Sequence, residues 1–125
     1  MTGLRTVGDY VVPTITRAAA ESGRPAPRVA VSLPVSVGND PDGARGRIDE
    51  AFAIYPTLPS YRAMLEREGA SKPSDIALVG DEEEVHRSLG RLAEAGATDF
   101  VAAVVGDAGE RRRTLALLSA VAGQV

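Results

Sequence analysis

Apolar positions recur along this chain with two different periods, and the two alternate. Val7, Tyr10, Val11, Ile15, Ala18 and Ala19 fall at helical spacing behind a capping-box-like pair, Thr6 and Asp9. Pro13 interrupts the pattern, which means either a kink there or a regular helix that begins near Pro13, where a missing N–H costs nothing. The helix stops at Gly23, followed by Pro25 and Pro27. From residue 29 the period becomes two, with Val29, Val31, Leu33, Val35 and Val37 alternating against Ala30, Ser32, Pro34 and Ser36. This predicts a strand whose branched side faces helices and whose small side faces a crowded barrel interior. Pro34 cannot donate to a ladder, so it belongs at a bulge, at a strand end or beside an incomplete partner strand.

The helical period returns after Asp40-Pro41-Asp42, a capping acid, a first-turn proline and an acid suited to the helix dipole, with Ala44, Ile48, Ala51, Phe52 and Tyr55 on one face. Pro56 and Pro59 break the chain, and a shorter helix over residues 60–68 carries Tyr61, Met64 and Leu65 on one side. Residues 75–79 read either as a helical turn or as a short strand. Asp81 caps a helix with three acids in its first turn and Val85, Leu89, Leu92 and Ala93 inward, and Gly96 ends it. Residues 100–105 are continuously apolar, as in a strand buried on both faces. A last helix over 108–122 turns Leu115, Leu118 and Val121 or Ala122 to the sheet.

Helix and strand alternation implies parallel strands, since antiparallel neighbours need only a tight turn. The expectation is an α/β domain spanning residues 1–125, with two parallel strands and about five helices. A sheet that small has open edges and little buried face, which marks it as a portion of a larger α/β fold.

Composition narrows the function classes. The chain holds no cysteine and one histidine, His86, so disulfides, a thiolate nucleophile and a Cys- or His-rich metal site are excluded. A net charge of -3 gives no electrostatic reason to expect nucleic acid or an anionic membrane as partner. No apolar run approaches a bilayer span and no secretory leader pattern opens the chain, so a cytoplasmic protein is expected.

Several stretches resemble the luciferase-like monooxygenase superfamily, and within it the oxidoreductases that use the deazaflavin coenzyme F420. They are Thr2-Gly3-Leu4-Arg5-Thr6, Val12-Pro13-Thr14-Ile15-Thr16-Arg17-Ala18-Ala19, Gly23-Arg24-Pro25-Ala26-Pro27-Arg28-Val29, Tyr55 with Leu58-Pro59-Ser60-Tyr61-Arg62-Ala63-Met64-Leu65, Ala77-Leu78-Val79-Gly80-Asp81-Glu82, and Ala95-Gly96-Ala97-Thr98-Asp99-Phe100-Val101. The resemblance covers nearly the whole chain and lies in the order and spacing of the motifs. It implies the C-terminal portion of a (β/α)8 barrel, with residues 29–37 and 100–105 similar to its last two strands. A whole barrel takes about 250 residues. It further implies hydride transfer through F420, or FMN in a flavin-using relative. The active site would be incomplete without an N-terminal barrel half or a homo-oligomeric partner.

Candidate site residues follow from position. Gly3, Arg5 and Thr6 stand at a helix N-terminus, where free N–H groups and a guanidinium suit a cofactor phosphate, although simple capping explains them too. Ser36 and Asp107 belong near the C-terminal mouth of the sheet. Tyr55, Tyr61 and Arg62 suit a lid wall against a planar ring, with helix packing as the plainer reading of the tyrosines. His86 lacks an orienting partner, the Glu82 to Glu84 run suits the helix dipole, and the Arg111 to Arg113 run reads as solvated surface. No residue is assigned a catalytic role and no metal site is expected.

Overall fold

A central strand surrounded on every side organises the molecule. The structure is a computed structural model and describes residues 1–122. Three parallel strands, β1 (Ala30–Val37), β2 (Leu78–Gly80) and β3 (Asp99–Val104), lie in the order β2-β1-β3. The α/β class and the parallel sheet are as expected, but there are three strands rather than two. The ambiguous stretch resolves into both of its readings, a 3-10 turn at Pro73–Ile76 and, after Ala77, the strand β2.

Pro34 explains why β2 is short. In a parallel ladder both polar groups of a residue face the same neighbour, and the side alternates along the strand. Val105 donates to the Val35 carbonyl at 3.1 Å and Gly38 donates to the Gly80 carbonyl at 2.9 Å, so odd residues of β1 serve β3 and even residues serve β2. Pro34 thus turns its missing donor toward β2, whose register with β1 begins only at Val35↔Leu78. The proline sits beside an incomplete partner strand, one of the three places open to it.

The helices begin with a continuous rod: α1 (Leu4–Thr6), a π-helical stretch (Val7–Val11) and α2 (Val12–Glu21). It starts ahead of the expected Thr6 cap. Gly3 is the N-cap, and Thr6 caps nothing with its side chain. Pro13 falls in the first turn of α2, the second of its two alternatives, and the π turn upstream accommodates the absent N–H. Then follow α3 (Pro41–Ala51), α4 (Pro59–Glu68), α5 (Glu82–Glu94) and α6 (Ala108–Ala122). With the rod counted once, the described residues hold five helices, as expected. Asp40 accepts the Gly43 N–H at 3.1 Å and Asp81 accepts the Glu84 N–H at 2.9 Å, so both predicted caps are made.

The alternation in β1 sorts the layers. Val31, Leu33, Val35 and Val37 are buried in one cluster with Val7, Met64 and Leu65, Val85 and Leu92 of α5, and Leu117 and Leu118 of α6. Ala44 and Ile48 of α3 pack with Val79 and Val105 on the small side, where Ser36 and Pro34 are also buried. Each branched residue sealed on the helix side contributes about 1.5–3 kcal/mol. Helices α3 and α5 thus cover opposite faces. Right-handed crossovers require this, because β1 to β2 and β2 to β3 step in opposite directions across the sheet. A closed barrel instead keeps successive strands adjacent and its helices in one outer ring. The winding seen here is that of an open doubly wound sheet.

Three expectations are corrected by burial. β3 is not covered on both faces. It is an edge strand, and its Val101 is 56% exposed because it projects beside Ser32 from the small-residue face, which α3 covers only near Val79 and Val105. Leu115 points to solvent and Leu117 with Leu118 takes its place. Of the apolar stripe on the N-terminal rod, only Val7 is fully buried, while Tyr10 and Ala18 are exposed.

Thr114 closes the top of the sheet. Its hydroxyl accepts the Val37 N–H at 2.9 Å, where β3 no longer reaches, and donates to the Glu110 carbonyl at 2.7 Å. The isosteric Thr114→Val leaves a buried donor unpaired and should lower unfolding free energy by about 1–3 kcal/mol, read by urea denaturation with unchanged m-value.

Candidate functional site

In open parallel sheets, ligands settle outside the carboxyl ends of the strands, at the point where the winding reverses. Here that point lies between β1 and β3. The loop after β1 (Gly38, Asn39, Asp40) and the loop after β3 (Gly106, Asp107) frame an open cleft of about 550 Å³, whose wall also includes Arg47 of α3 and Glu110, Arg112 and Arg113 of α6.

Glu110 is the hub. Its carboxylate takes two contacts of 2.7 Å from Arg47 Nη2, one of 3.3 Å from the Ser36 hydroxyl and one of 3.3 Å from the Asp107 N–H. Asp107 returns the favour by accepting the Glu110 N–H at 2.8 Å, which completes a reciprocal capping box at the start of α6. Ser36 and Asp107, predicted for the mouth of the sheet, are thus brought to one carboxylate. A second pair flanks the cleft: Arg113 donates to both oxygens of Glu82 at 2.9 and 2.7 Å and to Asn39 Oδ1 at 2.9 Å.

These contacts shift the acids. The Glu110 backbone N–H, then its side chain and the Arg47 charge, hold Asp107 below its ordinary value. Arg113 pulls Glu82 from 4.5 to about 2. Both caps are filled by the protein's own acids, and Arg47 and Arg113 are neutralised in place. Arg112 makes no ion pair among the described residues. The arrangement suits holding and orienting a polar group; the Ser36 hydroxyl faces a carboxylate already committed to Arg47.

The other predicted residues lie elsewhere. The N–H groups of Arg5 and Thr6 are both taken by the Glu68 carboxylate, and Arg5 Nη1 reaches the Glu68 carbonyl at 3.4 Å. Gly3 lets the Glu68 carboxylate approach this start closely, since a Cβ there would displace it. The helix start therefore does hold an anion, and the anion is a side chain of α4. Tyr55 and Tyr61 pack against each other with ring centroids 5.1 Å apart, and Tyr61 is core. Burial raises its hydroxyl to about 12. Arg62 donates to the Pro56 carbonyl at 3.2 Å and braces the turn ahead of α4. Ser36 and Asp107 thus meet at Glu110, Thr6 lines a second cleft with Tyr55 and Tyr61, and Gly3 and Arg5 meet Glu68.

Sequence reasoning missed Glu110, Arg47, Asn39 and the Arg113–Glu82 pair. Asp107 followed three residues later by Glu110 is a capping-box spacing, so Glu110 was available as a signal. Arg47, 63 residues away from its partner, was not. Among the described residues no group of three acids or histidines is placed to hold a metal ion, and no helix is long and apolar enough to cross a membrane. No protein-family model, curated protein or solved structure matches the chain.

Two outcomes test this network. Glu110→Ala removes half of the capping box and strands Arg47, and should cost about 2 kcal/mol in chemical denaturation. Glu82 and Asp107 have depressed folded-state values, so their stabilisation is present above the unfolded values and disappears as pH falls through the folded ones. Melting temperature should fall as pH drops from 4.5 toward 2, and Glu82→Gln should flatten that slope.

Proposed function

We propose that this chain is the C-terminal section of a luciferase-like, F420-dependent oxidoreductase of the cytoplasm, supplying wall, lid and phosphate contacts rather than a complete active site. When bound, the deazaflavin (or FMN in a flavin-using relative) supplies the hydride chemistry, and the protein supplies orientation and exclusion of water. The observation that carries the reading is β3. Asp99 and Val105 donate to Val29, just ahead of β1, and to Val35 within it, so the polar groups of Phe100, Ala102 and Val104 face away from the sheet along an edge with no partner among the described residues. A strand of such apolar content with one side unpaired is a seat for a further strand.

The strand order sets a demand on this proposal. In a closed barrel β2 stands between β1 and β3, so joining the remaining strands requires β2 to leave the far side of β1. The phosphate contacts carry a demand as well. A cofactor phosphate at Arg5 and Thr6 must displace the Glu68 carboxylate, which already shows that these donors fit an anion.

The test is a titration of F420, followed by its fluorescence, against this chain alone and against the chain co-folded with the N-terminal half of a luciferase-like barrel. Saturable binding should need the second half, and Glu68→Ala should tighten it about tenfold if the phosphate uses that seat. Absence of binding to the co-folded pair overturns the reading.

A second reading is favoured by the same edge together with Val101 and Leu115, each more than half exposed: a non-catalytic domain that self-associates as a homo-oligomer through β3. Light scattering should then report a dimer or larger that Val101→Lys converts to monomer; a monodisperse wild-type monomer refutes it.

A further inference from the structure

The two edges of the sheet are finished differently. The β2 edge is three residues long and ends on Gly80, the short form in which edges are kept from pairing. The β3 edge is six residues long, and from Phe100 to Val105 it carries no charge and no proline, the other devices that block pairing. Its outward N–H and C=O groups belong to Phe100, Ala102 and Val104, since the odd residues turn theirs to β1. The helix layer is bare on the same side. α5 lies over β2 and β1, and α6 lies over β1 and β3. Arg113 reaches back to Glu82 of α5, and Leu115, about 200° further round the helix, therefore points away from α5 and past β3, where it is 55% exposed.

We infer that the β3 edge receives the β3 edge of a second copy of this chain, antiparallel across a two-fold axis perpendicular to the sheet, with Ala102 on the axis. This rests on the self-association reading and adds its geometry. In an antiparallel ladder, directly opposed residues either both turn their polar groups to each other or both turn them away. Pairing Phe100 with Val104 of the second copy, and Ala102 with its own counterpart, uses every outward group of β3. Val101 then lies opposite Ala103 of the second copy on the small-residue face, in the closer kind of pair, with Cα atoms about 4.5 Å apart. The helix layer fits the same axis. Strands about 4.8 Å apart place the axis about 2.4 Å outside β3, and α6, lying over β1 and β3, about 5 Å from it. The two copies of α6 are thus about 10 Å apart, the spacing of packed helices, with both Leu115 side chains turned into the seam. A lone strand of another protein would satisfy the backbone and leave Leu115 uncovered. One edge used against itself closes the assembly at two chains.

Amide exchange followed by NMR at low and high protein concentration tests this arrangement. The amides of Phe100, Ala102 and Val104 should slow at least about tenfold as the dimer forms, while those of Val101 and Ala103, already turned to β1, should change little. Ala102→Pro removes an outward donor from an edge strand, where proline is tolerated, and should weaken the dimer about tenfold in sedimentation equilibrium with the far-UV spectrum retained. Leu115→Glu sets like charges beside the axis without touching the ladder and should also weaken the dimer about tenfold. A wild-type chain that stays monomeric at every concentration overturns this inference together with the self-association reading. A dimer whose Phe100, Ala102 and Val104 amides stay unprotected, a dimer that neither variant weakens, or an assembly larger than two overturns the inference alone and leaves self-association standing.

Discussion

The fold depends on β1 being paired along both edges and covered on both faces. Its odd residues spend their hydrogen bonds on β3 and its even residues spend theirs on β2, while Thr114 takes the one donor at the top that neither strand reaches. Over Val35–Val37 the backbone is paired by β2, β3 and Thr114, and the four branched residues of β1 seal the helix layer. The other two strands are subordinate to it. β2 can be only as long as Pro34 permits, and β3 borrows its order from β1 along six register positions while offering little burial of its own.

Much of this was legible in the amino-acid order. The period-two run at residues 29–37 announced the strand and the deep burial of its branched side, because branched and small residues segregate so cleanly, whereas the small side, expected to face a barrel interior, meets α3 instead. Asp40 and Asp81 announced their helices because a capping acid acts within three residues of itself. What failed was anything that depends on where an element lies across the sheet. The continuous apolar run of β3 reads as a doubly buried strand, and only the strand order reveals that it stands at an edge. The site divides along the same line. The Asp107–Glu110 capping box is local and readable, whereas Arg47 reaches Glu110 from another face of the molecule.

The two helix starts that sequence alone would offer to a ligand are both occupied from within. At the mouth of the sheet the acids of α6 cap their own helix, and at the rod the Glu68 carboxylate fills the donors of Arg5 and Thr6. Such filling satisfies groups that would otherwise need water, and any incoming anion has to compete with a tethered carboxylate at very high local concentration. The hydroxyls of Thr6 and Tyr61 are the opposite case, buried polar groups without a partner among the described residues.

The π-helical stretch at Val7–Val11 has a consequence for the rod as a whole. A π turn holds one residue more than the α-turn it replaces, so the helix beyond it is rotated by about 100° relative to a regular continuation. The stripe read at α-helical spacing is therefore re-phased in space. Val7 is sealed in the core, and beyond the π turn Val12 and Ile15 pack half-buried against the same cluster while Tyr10 and Ala18 turn to solvent. The segment works as a phase shifter. Removing a single residue between Thr6 and Val12 would reset the angular register of the ten residues that follow while leaving their sequence and helicity intact.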